Sequence, residues 1–266
     1  MSKLTFSNSD ISDLLKIAEA AAYEVGNYLL KMRGQAKIEQ QKSSRDDLLD
    51  IDLLAEKIIL NRLHTETPDI GTLSEEAGHE GRQEAYWLID PLDGSANFQH
   101  RNPTFGVALA FVVDKTTVGA VIYLPTNGEM FTAVQNQGAY VNGTRIHTSK
   151  TSILEDAIIH IGDIMKEGKP EITNQRLQDI SKLFTQARRI RMIGSAATDL
   201  AYLACGRADI LVNHAKKPWD REAGKLLVLE AGGNTTNYQR QDEEFLFVYS
   251  NGFIHPTAEN LFASRY

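Results

Sequence analysis

The feature that most constrains the fold is a succession of β-strand patterns in the first half of the chain. The apolar segments "AYWLID", "TFGVALAFVV", "TVGAVIYL", "EMFTAV" and "GAYVN" follow one another between residues 85 and 142. The Asn-Gly pairs in "TNGE" and "VNGT" are typical of turns between or after such strands. Because short turns join neighbouring strands that run in opposite directions, the sequence predicts an antiparallel sheet.

Two helices are predicted ahead of this sheet. The first has apolar residues at helical spacing, with Ser9 or Asp10 as the candidate N-cap and Gly34 as the candidate stop. The second covers about 52–65 and ends before Pro68.

The second half of the chain alternates between strand and helix patterns. Strands are predicted at "AIIHIGD", "RIRMIG", "ADILVNH" and "FLFVYS", and helices at 172–187, "SAATDLAYLACG", "WDREAGKLLVLEAGG" and 256–264. Such alternation is typical of layered α/β structure. We therefore expect an α+β or α/β fold of two halves, 1–147 and 148–266, packed as one compact unit.

Composition argues against several classes of function. The 266 residues carry a formal charge of −7 without a block of Lys or Arg, so we do not expect a nucleic-acid partner. The longest apolar run, "VALAFVV", is far shorter than the roughly 20 residues that span a bilayer. A single cysteine, Cys205, excludes an intramolecular disulfide and fits a reducing compartment. With no signal-peptide pattern at its start, the sequence predicts a soluble cytoplasmic protein.

The segment "WLIDPLDGSANF", residues 87–98, carries the clearest chemical signal. Pro91 cannot donate a ladder hydrogen bond, so the strand is predicted to end there, with Asp90 at its end and Asp93 on the following turn. A turn that leads into a helix leaves free N–H groups, which favour an anion. Carboxylates beside an anion would repel it, and a divalent cation between them resolves the conflict. Mg²⁺ commonly binds in this way, through a few carboxylates plus substrate phosphates.

Other acidic residues are candidates for the same site. "LSEE" supplies Glu75 and Glu76, "PWD" supplies Asp220, and Asp52 opens the second predicted helix. Each alone has a structural interpretation, because acidic residues favour turns and helix starts. Together they indicate a metal site between the two halves of the chain.

Three segments, "LSEE", "WLIDPLDGSANF" and "KPWDREAGKLLVLEAGG", resemble the three motifs of the inositol monophosphatase family. The likeness runs through essentially the whole chain in the family's order, and "NPTFGVALAFV", "GEMFTAVQNQGAYVNG" and "IGSAATDLAYLACGRAD" also fit. It is closest to the bacterial members. The resemblance implies a sugar-phosphatase-like layered αβαβα sandwich and a Mg²⁺-dependent, often lithium-sensitive, phosphatase. Family members are commonly dimers, so it also implies a homodimer.

The resemblance also implies roles for the motif residues. Glu75, Asp90 and the backbone carbonyl of Leu92 would hold one Mg²⁺, Asp90, Asp93 and Asp220 a second, and Glu75 would reach a weaker third through water. The catalytic residues would be Ser95, which orients the attacking water, Asp52 behind it, and Glu75. The residues implied to contact the substrate are Asp93, Gly94, Ser95, Gly194, Ser195, Ala196 and Asn213. The amides of Gly94 and Ser95 would receive the phosphate, and Gly194, Ser195 and Ala196 would line the substrate's alcohol part.

The sequence departs from the family pattern at three places. Ser95 replaces the usual Thr but keeps a hydroxyl. "QKSSRDDLLDID" is one residue short and lacks the Thr before its last Asp, so Asp50 competes with Asp52, although Asp52 has the expected spacing of 23 residues before Glu75. Asn213 stands where many members that handle inositol phosphates carry Glu, which leaves the substrate open.

We predict hydrolysis of a small phosphomonoester by in-line attack of metal-activated water, with inositol-1-phosphate as the leading substrate. Fructose bisphosphate, histidinol phosphate and 3′-phosphoadenosine phosphates are alternative substrates. A different class of function is a noncatalytic RNA- or protein-binding role on the same scaffold. The sequence predicts surface or loop positions for His100, His147, His160 and His214, and favours a solvated loop for Lys216 and Lys217 over attraction of an anionic substrate.

Overall fold

The computed structural model describes residues 5–41, 47–181, 183–214, 216–239 and 244–262. The helices are α1 Asn8–Met32, α2 Asp50–Glu66, α3 Ser95–Gln99, α4 Pro170–Ile180, α5 Leu183–Gln186, α6 Ala196–Ala204, α7 Glu222–Glu230 and α8 His255–Phe262. The strands are β1 Ile38–Gln41, β2 Asp47–Leu49, β3 Gly71–Ser74, β4 Gly78–Glu80, β5 Ala85–Asp93, β6 Gly106–Val113, β7 Thr116–Leu124, β8 Glu129–Val134, β9 Gly138–Val141, β10 Thr144–Ile146, β11 Ile158–Ile161, β12 Arg189–Arg191, β13 Ile210–Asn213, β14 Asn234–Gln239 and β15 Phe245–Ser250. Residues 42–46 of "QKSSRDDLLDID" and the end of the helix predicted at 256–264 lie outside the described residues.

The first sheet has eight strands in the described residues, in the order β10-β9-β8-β7-β6-β5-β3-β4. The predicted antiparallel succession is confirmed from β5 to β10. The pairing of β3 with β5 is parallel, which the sequence reading did not anticipate. The chain turns back through β4 at the edge and then crosses to the other side of β3, so β5 runs in the direction of β3.

The second sheet, in the part of the chain that is described, has the order β12-β11-β13-β15-β14. Its first three strands are parallel, and β15 pairs antiparallel with both β13 and β14. The edge strand β14 was not predicted, because "NTTNYQ" is polar and lacks an apolar run. The single helix predicted at 172–187 is instead two helices, α4 and α5.

Three buried apolar layers hold the elements together. The first lies between α1, α2 and one face of the first sheet and contains Trp87 and Phe111. The second places α6 and α7 between the two sheets, and the third joins the outer face of the second sheet to α4, α5 and α8. In the middle layer Gly224 is required, because a Cβ there would lie 2.4 Å from Leu200 Cβ. The predicted αβαβα sandwich is therefore confirmed.

Helix ends show how local sequence sets these elements. The N-cap of α1 is Ser7, not the predicted Ser9 or Asp10, because Ser7 forms a capping box with Asp10: the Asp10 amide donates to Ser7 Oγ and the Ser7 amide to Asp10 Oδ2. The helix ends at Met32, and Gly34 follows with a φ of +83°, as the stop signal predicts.

None of the described helices is both long and apolar enough to cross a membrane. The division into halves 1–147 and 148–266 as folding units stays a prediction.

Candidate active site

A cavity of about 850 Å³ gathers residues from the first sheet, the middle helices and the second sheet. The predicted site residues that line it are Glu75, Asp90, Leu92, Asp93, Gly94, Ser95, Gly194, Ser195, Ala196, Asn213 and Asp220. These residues span most of the chain, and the fold brings them to one place. Asp52 is the predicted site residue that is not among the described residues of the cavity lining.

Strand β5 delivers Asp90 and Asp93 to the cavity by way of a β-bulge. The strand was expected to end at Pro91, but it continues to Asp93. Asp90 pairs with Ala108 and Asp93 with Gly106, so β5 has one more residue than β6 over this interval. Proline is tolerated at such an irregularity. Residues three apart on a regular strand point to opposite faces, so the extra residue explains how both carboxylates line the same cavity.

The start of α6 fixes the carboxylate of Asp93. Its Oδ1 accepts a hydrogen bond from the Ala196 amide at 3.1 Å, and its Oδ2 accepts from the Ala197 amide at 3.0 Å and from the Ser195 hydroxyl. These amides belong to the first turn of a helix, where no intrahelical acceptor is present. The hydroxyl of Ser195 and the amide of Ala196, expected at the substrate's alcohol part, are therefore directed at Asp93.

Asn97 joins α3 to the segment that precedes α6. Its Nδ2 donates to the Thr104 and Ile193 carbonyls, each at 2.8 Å. Gly94 precedes α3 with a φ of +85°, and a Cβ there would lie 3.2 Å from Ser195 Cβ. Asn97 lies within the motif "WLIDPLDGSANF" but was given no role there. Its position between Gly94 and Phe98 was the sequence signal that could have identified it as a site residue.

Glu75 and Asp220 enter the cavity from turns. Glu75 follows β3, and the turn is held by Glu56 Oε1, which accepts from the Glu76 amide at 3.2 Å and the Ala77 amide at 3.3 Å. Asp220 was expected at the start of a helix but lies in the turn before α7, closed by the Glu222 amide on the Pro218 carbonyl at 2.9 Å. Buried Glu56 was missed because an acidic residue in a helix has an ordinary structural interpretation.

The electrostatics of the cavity favour a cation. Burial raises the pKa of Asp90 well above its ordinary value, and the charges of Asp93, Asp220 and Glu75 raise it further. Burial raises the pKa of Asp93 to about 6 despite its hydrogen bonds. Burial and the charges of Asp93 and Glu75 raise the pKa of Asp220 to about 7. Carboxylates that are hard to ionise together become easier to ionise when a cation lies among them.

The donor set fits Mg²⁺. The four predicted carboxylates and the Leu92 carbonyl all supply oxygen, which hard cations prefer. Within the described residues, no group of three or more His, Cys, Asp or Glu side chains is gathered closely enough to hold a metal ion by itself. An open set of oxygen ligands is compatible with Mg²⁺, because this ion commonly keeps several waters and binds substrate phosphates.

The two candidate aspartates of α2 have different surroundings. Asp52 is buried, and its Oδ2 accepts a hydrogen bond from the Leu49 amide at 2.8 Å. Asp50 is half-buried, and its Oδ1 accepts from the Lys37 amide at 2.9 Å, which ties α2 to the segment before β1. The structure thus places Asp52 in the interior, where it caps the first turn of α2, and Asp50 in a half-buried contact with the segment before β1.

Several residues that line the cavity were not singled out as site residues by the sequence. Asp163, Met165 and Glu167 follow β11, and Met192 follows β12; all four line the cavity with Asn213. Lys217 also lines it, with its Nζ 4.7 Å from the Trp219 ring centroid, and is exposed. Asp163, Met165, Glu167 and Met192 lie in irregular segments after strands and outside the three motifs, whereas Lys217 opens the motif that contains Asp220.

His160 was wrongly expected at a surface or loop position, and His214 lies in a loop, as that prediction allowed, but is buried. His160 lies within β11 and is 1 % exposed, and its Nδ1 lies 2.7 Å from Oδ1 of buried Asp199, which lines the cavity. His214 follows β13 and is also buried, with its Nδ1 2.8 Å from the Phe245 carbonyl oxygen. Each buried ring has an oxygen partner, which its local sequence could not reveal.

A layered αβαβα fold with an acidic cavity at the meeting of its sheets defines the class of this protein. The model described as the Inositol monophosphatase family matches residues 10–265. The chain belongs to the inositol monophosphatase family, a phosphatase family whose members generally depend on metal, typically Mg²⁺.

Relatives and solved structures agree with this membership. The chain is 38 % identical over 229 residues to "Nus factor SuhB" of Escherichia coli, covering 85 % of each chain. It is 32 % identical over 236 residues to "Fructose-1,6-bisphosphatase/inositol-1-monophosphatase" of Thermotoga maritima, covering 87 % of this chain and 89 % of that one. The crystal structure of extragenic suppressor protein suhB from Bartonella henselae superimposes with a TM-score of 0.88 at 31 % identity, covering 96 % of this chain and 100 % of that one.

Proposed function

We propose that the protein is a Mg²⁺-dependent phosphomonoesterase that hydrolyses a small polyol phosphate, with inositol-1-phosphate as the leading substrate. The observation that carries this proposal is the convergence of Glu75, Asp90, Asp93 and Asp220 on one cavity beside the start of α3. Burial raises the pKa of the last three carboxyl groups, which supports a site made for cations. The relative named as a fructose bisphosphatase and inositol monophosphatase supports the reaction class.

The metal ligands would be Glu75, Asp90, Asp93, Asp220 and the Leu92 carbonyl, holding two or three Mg²⁺ ions. When bound, Mg²⁺ compensates phosphate charge, lowers the pKa of water and clamps the attacking and leaving oxygens of an in-line displacement. The protein's own contribution is to keep the carboxylates at fixed positions. It does so through the β5 bulge and, at Asp93, through the first turn of α6.

The remaining residues would bind and orient the phosphate ester. The amides of Gly94 and Ser95 would receive the phosphate, since both residues line the cavity where α3 begins. The Ser95 hydroxyl would orient the attacking water, with Asp52 held behind it by the Leu49 amide. Gly194, Ser195 and Ala196 would shape the cavity beside the phosphate, and Asn213 would meet the alcohol part.

A substrate panel tests the proposal. Phosphate release would be measured with Mg²⁺ on inositol-1-phosphate, fructose 1,6-bisphosphate, histidinol phosphate and 3′-phosphoadenosine 5′-phosphate. We expect the highest kcat/KM on inositol-1-phosphate, with measurable rates on other members, because Asn213 replaces a charged acceptor for sugar hydroxyls. If another phosphate ranks first, the reaction class stands and the leading substrate is wrong. Absence of release from every compound would contradict the enzymatic proposal.

Three finer properties belong to the same proposal. We infer a homodimer and inhibition by lithium from the family resemblance, and a cytoplasmic location from the single cysteine and the absence of a signal-peptide pattern. Light scattering of the purified chain tests the first, and titration of activity with LiCl tests the second. Fractionation of the source cells tests the third. A monomer by scattering, or activity unchanged by LiCl in the millimolar range, would contradict the corresponding property.

A second candidate function is a Nus factor role, favoured by the relatives that carry the name "Nus factor SuhB" at 35–39 % identity. It corresponds to the RNA- or protein-binding role that the sequence left open. The test asks whether the chain restores the phenotype of an Escherichia coli strain that lacks its own SuhB. Restoration by both wild type and Asp93→Asn would indicate a noncatalytic role. Restoration by neither would argue against it.

A further inference from the structure

A buried ion pair joins α4 to the start of β15 and is not part of any motif. Arg176 and Glu244 are each 5 % exposed, and an Arg176 Nη2 group donates to Glu244 Oε2. Arg and Glu are almost never fully buried unless they are paired. Desolvating both charges is costly, so such a pair is weak evidence for stability alone.

We call two groups of cavity-lining residues the walls of the proposed alcohol end: Asp163, Met165 and Glu167 after β11, and Asn213 and Lys217 at and after the end of β13. One side of the ion pair reaches the first of these walls. Arg176 Nη1 donates to the Ile164 carbonyl at 3.3 Å, and Lys166 Nζ lies 3.5 Å from Glu244 Oε1. The residues on either side of Ile164, Asp163 and Met165, line the cavity. The ion pair is thus bonded to the backbone of this wall at Ile164, between two residues that line the cavity.

The other side of the ion pair reaches the second wall. Lys216 Nζ lies 3.7 Å from Glu244 Oε1 and 5.4 Å from the Phe245 ring centroid. The Phe245 carbonyl is 2.8 Å from His214 Nδ1. The chain neighbours of Lys216 and His214, namely Lys217 and Asn213, line the cavity. Glu244 is therefore in contact with both segments that form the alcohol end.

We propose that Glu244 is a positioning residue that, paired with Arg176, fixes the two walls around the substrate's alcohol part and so sets affinity for that part. The proposal rests on the function proposed above. It separates alcohol recognition from chemistry, because the phosphate end has its own supports: α6 holds Asp93, and Glu56 holds the turn after Glu75. A change at Glu244 would alter KM for substrates with a hydroxylated alcohol part and leave the chemical step intact.

The test compares Glu244→Gln, which keeps size and removes charge, with Glu244→Asp, which restores it. Both are assayed on inositol-1-phosphate and on p-nitrophenyl phosphate, whose alcohol part has no further hydroxyls. We expect Glu244→Gln to raise KM about 3–10-fold on the first substrate, the cost of about one hydrogen bond. We expect kcat on both substrates and KM on the second to stay within about twofold, and Glu244→Asp to recover part of the loss.

A matched control comes from the ion pair of Arg207 with Glu129. Arg207 Nη1 donates to Glu129 Oε2 at 2.7 Å, and neither residue is among the described lining of the cavity. Glu129→Gln removes a carboxylate from another Arg–Glu pair, which is more exposed and makes two direct hydrogen bonds, so it reports the effect of losing such a pair elsewhere in the fold. We expect it to leave KM unchanged on both substrates. Equal losses of kcat on both substrates in Glu244→Gln would contradict the positioning role.

Hydrogen exchange supplies a readout that needs no activity. We expect faster amide exchange in 162–169 and in 216–219 of Glu244→Gln, but not of Glu129→Gln. If the wild type hydrolyses neither phosphate, the proposed function fails and exchange still decides the role of Glu244. Unchanged exchange in both segments would overturn the inference.

If Glu244→Gln does not fold, Lys216→Gln is the second variant, because it removes the contact of Lys216 with Glu244 and leaves the pair with Arg176. We expect faster exchange in 216–219 alone. Unchanged exchange in 216–219 would count equally against the positioning role.

Discussion

The two proposed ends of the cavity are built in different ways. The proposed phosphate end takes its side chains from short contiguous motifs, and backbone groups fix them: the β5 bulge places Asp90 and Asp93, and the first turn of α6 holds Asp93. The proposed alcohol end takes its side chains from segments after β11, β12 and β13. There the walls are held by long-range contacts of Arg176 and Glu244.

This difference separates two kinds of change. Charges placed by regular elements have little freedom, which suits a reaction that depends on exact positions. Loops anchored by one buried pair can change shape or composition without disturbing those charges. Substitutions at the phosphate end should therefore affect every substrate alike, whereas substitutions at the alcohol end should change the ranking of substrates.

The largest expected effect is at Asp93. Asp93→Asn keeps the size of the side chain but removes the charge of a proposed ligand. We expect turnover to fall by several orders of magnitude on all substrates, since loss of one metal ligand disturbs the whole charge arrangement. Steady-state kinetics on two unrelated phosphates measure the loss, and circular dichroism checks folding. Retention of most turnover would show that Asp93 is not a metal ligand.

Ser95→Ala tests the same end with a smaller effect. It removes one group that orients water and leaves the carboxylates in place, so we expect kcat to fall about 10²–10³-fold. The loss should be equal on inositol-1-phosphate and on p-nitrophenyl phosphate, because it concerns the phosphate. Ser95→Thr is the matched control and should keep most activity. A loss confined to one substrate would move Ser95 to the alcohol end.

His214 tests the buried cluster behind the alcohol end. Burial, with the charge of Arg176, lowers the pKa of His214 to about 4 from 6.5. The unfolded chain therefore takes up a proton near pH 6.5, but the folded chain does so only near pH 4. The contribution of His214 to the free energy of unfolding is therefore fully present above pH 6.5 and is lost as the pH falls from 6.5 to 4. The loss amounts to at most about 3 kcal/mol.

We expect His214→Asn to flatten the pH dependence of the free energy of unfolding between about pH 6.5 and 4. Urea unfolding across this range measures it, and His147→Asn, at an exposed histidine, is the control. Identical slopes in the wild type and His214→Asn would mean that the buried ring does not titrate as its surroundings require.

Asn213→Glu has the smallest expected effect and distinguishes the two ends most specifically. Asn213 is buried at the end of β13 against Gly162, where a Cβ would lie 2.5 Å from Asn213 Oδ1. A carboxylate there accepts stronger hydrogen bonds from hydroxyls and repels a second phosphate. We expect the ratio of kcat/KM for inositol-1-phosphate over fructose 1,6-bisphosphate to rise about tenfold. An unchanged ratio would assign Asn213 a purely structural role at the strand end.

The sequence predicted those parts of the fold that have local signals. Long apolar strands such as β6 and β7 and the helices α1 and α6 were evident from their periodicity. Strands β3 and β14 were missed because one has four residues and the other is polar at an edge. The prediction that β5 ends at Pro91 was wrong. The strand continues through a bulge, and a bulge depends on the partner strand.

The same limit applies to the candidate site. Glu75, Asp90, Asp93 and Asp220 lie in recognisable motifs, and the structure brings them to one cavity. Glu244 and Arg176 are 68 residues apart and lie in no motif, so only the folded chain shows that they meet. Local sequence therefore predicts which carboxylates meet in the cavity, and long-range packing decides which other segments are held beside them.

Metal dependence is the central claim, and phosphate release with and without metal tests it most directly. The full chain would be assayed on inositol-1-phosphate in Mg²⁺, then in excess EDTA, then after Mg²⁺ is restored. The account predicts loss of activity in EDTA and full recovery with Mg²⁺, because the buried carboxylates cannot bind a phosphate without compensating charge. Full activity in excess EDTA would contradict it.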